Sequence, residues 1–157
     1  MTNRRQLLAL LAATGATVSF PARAGGPVKV RVLATPGCGC CRTWAALAEQ
    51  RGFAVTVADD EALDATKAAH GVPEALASCH TALADGYVFE GHVPFEAMEA
   101  VLRDRPSITG LAVPGMPMGS PGMGDDPAAR YDVLAFGGEA GKGRVFYRAG
   151  TPDPFAG

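Results

Sequence analysis

An α/β fold is predicted by three observations. Strand-like alternation and helix-like spacing take turns through the first half of the chain. A strong two-residue hairpin signal follows at Asp85-Gly86, and a proline-led helical run comes after it.

The segment PVKVRVLAT (residues 27–35) places Val28, Val30 and Val32 on one side, which predicts a strand that Pro36-Gly37 ends. CCRTWAALAEQRGF carries Trp44, Leu47 and Ala48 at helical spacing, with Gly52 as its stop. FAVTVAD alternates again through Phe53, Val55 and Val57, a second strand. EALDATKAAHG reads as a short helix ending at Gly71. This β-α-β-α opening points to two parallel strands joined by a crossover helix.

SCHTALADGYVFEGHVP then forms two strand-like runs about Asp85-Gly86. Pro94 suits the first position of a helix over residues 94–106, with Val93, Ala97, Val101 and Leu102 as its buried stripe. The order β-α-β-α-β-β-α is thioredoxin-like, with the cysteines where the first strand meets its helix. Residues 110–127, GLAVPGMPMGSPGMGDDP, show neither period and read as a Met-rich loop. RYDVLAFGGEAGKGRVFYRAG adds an extra C-terminal β-hairpin around a glycine-rich turn.

Residues 1–24 have a basic start (Arg4, Arg5), an apolar middle and the small-x-small ending Ala22-Arg23-Ala24, the order of a secretory signal peptide. Residues 25–157 are then the thioredoxin-like domain. The apolar run is short and broken by Thr and Gly, so the expected product is exported and periplasmic, with no stable membrane span after cleavage. The paired arginines fit a Sec signal or, in part, a twin-arginine signal. Without those residues 11 Lys+Arg stand against 16 Asp+Glu, a net charge of −5. No basic stripe remains, which argues against nucleic acid as a partner. P-loop, H-E-x-x-H and G-x-S-x-G motifs are absent from the sequence.

The chemistry concentrates in TPGCGCCRTW. Cys38 and Cys41 form a C-x-x-C, and Cys40 adds a third thiol. A helix start favours thiolate, which both disulfide exchange and metal binding require. Structural disulfide, redox dithiol and metal cage therefore all remain open. Crowding disfavours a staple, since a Cys40–Cys41 bridge would strain disulfide geometry. The third thiol tilts the balance toward metal, because a two-electron dithiol cycle does not use it. Cys79, at the start of the third strand, can face this cluster; the plainer alternative is a buried structural cysteine beside a surface His80.

His92, in EGHVP, is a candidate imidazole donor. His70 suits a helix C-terminus and is not assigned to the site. Asp59-Asp60-Glu61 reads as a solvated helix start. Met116, Met118 and Met123 lie in the aperiodic segment, where packing a core is the plainer role. Thiolate with thioether is nevertheless the donor set that selects Cu(I), whereas closed zinc sites take Cys and His.

TPGCGCCRTW, GVPEALASCHTALADGYVFEGHVP and GLAVPGMPMGSPGM…YDVLAFG together resemble a bacterial family of metal-binding domains of unknown-function type that includes the periplasmic CopG copper-resistance proteins. The likeness runs from about Val28 to Phe146. It implies a thioredoxin-like fold, export, and copper binding linked to copper tolerance. By motif it assigns Cys38, Cys40, Cys41, Cys79, His92, Met116 and Met123 to metal, with Met118 below them because the pattern varies there. Pro73 lies six residues before Cys79, unlike the cis-proline that directly precedes the third strand of ordinary thioredoxins.

The resulting expectation is a copper-binding protein that holds Cu(I), with bridging thiolates able to carry more than one ion and other periplasmic copper-handling proteins as partners. Histidine and methionine together also tolerate Cu(II), so redox activity of the bound copper is compatible with the donor set. No catalytic residue is assigned. One alternative is a thiol-disulfide oxidoreductase using Cys38 and Cys41. Another is a zinc- or disulfide-stabilised binding module.

Overall fold

Strand β1 (Lys29–Ala34) organises the sheet, pairing in parallel with β2 (Ala54–Asp59) on one side and antiparallel with β3 (His80–Ala84) on the other. These relations come from a computed structural model that describes residues 26–124 and 126–150. The predicted signal, residues 1–24, lies outside the described residues.

Helix α1 (Gly39–Gln50) makes the crossover between β1 and β2, as the alternating pattern predicts. Gly52 (φ +92°) adopts the left-handed turn that ends it. Helix α2 (Leu63–Ala69) follows β2, with His70 at its C-cap. At its entry Asp60 accepts hydrogen bonds from Ala62 N (2.9 Å) and Thr66 Oγ1 (2.6 Å), and these hold its carboxyl below the usual range. A 3₁₀ turn, Glu74–Leu76, then leads into β3.

β3 and β4 (Tyr87–Glu90) form the expected hairpin, with Ala84 opposite Tyr87. Asp85 and Gly86 both have positive φ, as a primed two-residue turn requires. Helix α3 (Phe95–Asp104) follows, with Pro94 as its N-cap rather than its first helical residue. Val93, Ala97, Val101 and Leu102 are all buried, joined by Phe95 and Met98.

The segment read as structureless departs from expectation at its start. Gly110–Ala112 is a strand, β5, parallel to β4. Three residues are too few to display a period, and the strand exists because it completes a buried ladder. β6 (Tyr131–Phe136) and β7 (Arg144–Ala149) form the C-terminal hairpin, with the 3₁₀ turn Gly138–Ala140 in its loop. The result is a seven-stranded mixed sheet in the order β2-β1-β3-β4-β5-β6-β7.

Strand alternation divides the side chains between two faces. Val30, Val32, Ala82, Ala84, Phe89, Leu111 and Val133 pack with Trp44 and Ala48 of α1 and with Met98 and Val101 of α3. On the other face Val88, Ala112 and Phe136 pack with Val72 and Leu76, from the segment after α2. The two faces meet different chemistry at the upper ends of β3 and β4, where the candidate site lies.

Candidate metal centre

The loop after β1 turns at Gly37 (φ +80°), and Cys38 N donates to Thr35 O (3.1 Å). Cys38 thereby becomes the N-cap of α1. Cys41 follows one helical turn later and is fully buried. Their sulfurs form a disulfide, while Cys40 and Cys79 are free. Cys40 Sγ lies 3.6 Å from Cys38 Sγ. Cys41 Sγ lies 3.5 Å from the Cys79 carbonyl oxygen, a bond that its thiol can donate once the disulfide is reduced. No acid occupies the first turn of α1, so the cysteines meet the helix N-terminus with no carboxylate in that turn.

Cys79 stands immediately before β3. Because β3 pairs with β1, with His80 opposite Ala34, the start of β3 is brought to the start of α1. One donor atom from each of Cys38, Cys40, Cys41 and Cys79 lies within 4.8 Å of the others. Cys79, His80 and His92 form a second group within the same limit. Cys79 belongs to both.

The histidine group is more tightly specified. His92 Nδ1 donates to Pro121 O (2.6 Å), which leaves the Nε2 lone pair aimed at Cys79 Sγ, 3.0 Å away. The thiol proton of Cys79 is then the donor in that contact. Burial, reinforced by the neighbouring Cys40, pushes the Cys79 thiol up to about 12, consistent with this thiol form. Burial also lowers both imidazoles, His80 to about 3, so each stays neutral with a lone pair to offer.

His80 was not among the residues assigned from sequence, and it is no surface residue. It is fully buried, its ring 4.9 Å from Trp44 and 5.2 Å from His92. Its Nδ1 lies 3.3 Å from Cys79 Sγ, and its Nε2 has no hydrogen-bond partner. A buried polar atom without a partner costs about 1–3 kcal/mol, so its presence needs a reason. The signal available in the sequence was strand phase: His80 shares a face with Ala82 and Ala84, both in the core.

The methionines fall into two groups. Met116 (52 % exposed) and Met118 (62 %) lie in solvent, while Met123 is half-buried. Their segment reaches the site through its backbone. Pro121 supplies the His92 acceptor, and Gly122 (φ +88°) sits so close to α1 that a Cβ would lie 3.0 Å from both Cys40 O and Trp44 N.

Fold and site together define a mixed α/β domain with a thiol–imidazole cluster able to hold metal at the end of its sheet. Residues 76–123 match the family model described as "Protein of unknown function, DUF411". Two solved structures titled "Copper resistance protein copG", Forms 1 and 2, are similar to this chain, both with a TM-score of 0.71. Form 1 is 38 % identical, over 78 % of this chain and 97 % of that one; Form 2 is 39 % identical, over 78 % and 98 %. The chain belongs to this family, a family of unknown-function type that includes CopG. Comparison with curated proteins gives no match.

Proposed function

We propose that the protein binds copper as Cu(I) in copper resistance, through Cys38, Cys40, Cys41 and Cys79, with His92 and His80 completing the donor set. The observation that carries this reading is the sharing of Cys79 between a four-sulfur and a sulfur–imidazole group, each within 4.8 Å. A shared thiolate can bridge ions, so the site suits more than one copper. Thiolate and imidazole are both copper donors, and thiolate prefers Cu(I). Met116, Met118 and Met123 offer soft thioether donors on the segment whose Pro121 holds His92, for uptake of Cu(I) or its transfer to a periplasmic copper-handling partner. The similar structures titled copper resistance protein support the copper assignment over zinc.

The working form is a periplasmic domain of thioredoxin-like order, exported on a signal in residues 1–24. Among the described residues no helix is long and apolar enough to cross a membrane. The first four strands support the thioredoxin-like reading, with β3 antiparallel to β1 and α1 beginning at the cysteines.

The Cys38–Cys41 disulfide favours a second reading, a thiol-disulfide oxidoreductase. The two separate in one titration. Protein reduced with dithiothreitol and freed of it is titrated with Cu(I) against a competing chelator without oxygen, alongside the oxidised protein. Copper binding predicts tight uptake by the reduced form and weaker uptake by the oxidised form, which retains Cys40, Cys79 and the histidines. Absence of uptake in both, with a readily cycled disulfide, leaves the oxidoreductase reading.

A further inference from the structure

Beneath the site, on the opposite face of the sheet, lies a closed polar network that metal binding does not use. Glu90 is fully buried, and so are Thr81 and, nearly, Lys67. Glu90 Oε1 accepts from Lys67 Nζ (2.5 Å) and from Ser78 N (2.7 Å). Its Oε2 accepts from Thr81 Oγ1 (2.6 Å), which in turn accepts from Lys67 Nζ (3.2 Å). Burying such a pair is costly, and apolar residues of similar volume are often as stable or more so. Stability alone is a weak reason for it.

Geometry supplies a better reason. Thr81 and Glu90 are the last paired residues of β3 and β4. Past one further bond, Gly91 N to His80 O (2.8 Å), the two segments leave the ladder, and Cys79 before β3 and His92 after β4 must still meet at 3.0 Å. Ser78 lies in irregular backbone before Cys79, and its N–H goes to Glu90 in place of a strand partner. The Ser78 hydroxyl donates to Gly115 O, tying the same point to the methionine segment. Glu90 therefore anchors the peptide from which Cys79 projects.

We propose that Glu90, held by Lys67 and Thr81, is the positioning residue for Cys79: it fixes the Ser78–Cys79 backbone so that the sulfur shared by both donor groups faces them. The metal arm of this proposal rests on the copper reading above; the backbone arm does not.

Two double variants separate the anchor from the charge. Lys67→Met with Glu90→Leu removes both charges and the Ser78 acceptor. Lys67→Met with Glu90→Gln removes both charges but leaves an amide oxygen for Ser78 N–H and an NH₂ for Thr81 Oγ1. Cu(I) affinity is measured against a chelator in reduced protein. The rate of Cys79 alkylation by iodoacetamide is measured without metal, in a Cys40→Ser background with the Cys38–Cys41 disulfide intact.

The leucine variant is expected to weaken Cu(I) binding about tenfold or more, the range for losing support behind a ligand, and to alkylate several-fold faster. The glutamine variant restores both. If the leucine variant matches the unaltered protein in both readouts, or if glutamine rescues neither, the proposal is overturned. Should the leucine variant not fold, Glu90→Asp keeps the charge beside Lys67 but withdraws the carboxylate from Ser78 by one methylene, and it must show the same two changes. Absence of Cu(I) uptake by the unaltered protein overturns the copper reading, and the alkylation rates then decide the positioning of Cys79 alone.

Discussion

The two halves of the site are built in opposite ways. The cysteine half sits at a helix start, part-exposed apart from Cys41, and it holds a disulfide, Cys38–Cys41, that a reductant can open. The histidine half is fully buried at His80 and His92 and is fixed by a backbone carbonyl and ring contacts. One half can respond to the redox state of its surroundings while the other stays in place. Cys79 joins them, so a rigid donor and a responsive donor set share one sulfur.

The sharpest way to break this division is Cys79→Ser. Both groups lose their common atom, so Cu(I) affinity should fall by more than about a hundredfold, beyond the loss expected from a supporting contact alone. Chelator competition measures it, and a change of only a few-fold would mean that the two halves act independently.

Next comes His80→Leu, which should separate stability from binding. The leucine removes a buried nitrogen that has no partner, so metal-free stability should stay within about 1 kcal/mol of the unaltered protein, or rise. Cu(I) affinity should nevertheless drop about tenfold or more. Denaturant unfolding and chelator competition on the same samples decide it. A large loss of stability with unchanged binding would make His80 a packing residue.

The pH dependence tests rigidity in the metal-free state. Burial lowers His80 from 6.5 to about 3 and lowers His92 as well. The unfolded chain therefore takes up protons that the folded chain refuses as pH falls through 6.5. The His80 contribution should decline from there toward about pH 3, by at most roughly 1.4 kcal/mol per pH unit, with His92 acting in the same direction. Unfolding midpoints across that range measure the decline. In the His80→Leu variant it should be shallower, and an unchanged slope would remove His80 from the account.

The smallest effect is expected at the seam between the methionine segment and α1. Gly122→Ala adds a Cβ against Cys40 and Trp44 at a positive φ, a strain of about 1 kcal/mol or more. The segment should lift, lengthening the Pro121–His92 bond, with a few-fold loss of Cu(I) affinity. The His92 Nδ1–H resonance in NMR should shift; an unmoved resonance would show that the backbone absorbs the strain elsewhere.

Much of this architecture is legible in local pattern. The β-α-β start follows from Val30, Val32, Val55 and Val57, and the hairpin from Asp85-Gly86, because short-range sterics decide those elements. The meeting of Cys79 with the first cysteines follows once β3 is placed beside β1. β5 is not legible, since its three residues owe their strand to neighbours distant in sequence. Lys67 and Glu90 are also silent: each looks like an ordinary charged residue on an amphipathic element, and only tertiary packing turns the two inward. His80 stood between these cases, readable from its phase but outweighed by the expectation that a lone histidine sits at the surface.

Trp44 is the only tryptophan in the chain. Its indole is buried, its Nε1–H is donated to Val93 O (3.1 Å), and its ring lies beside His80. The fluorophore is therefore set in a dry, fixed environment within one side chain of the proposed metal. The protein carries its own optical gauge: copper arriving at His80 should quench a blue-shifted emission in proportion to occupancy, and unlabelled protein can be followed in real time as it fills and empties.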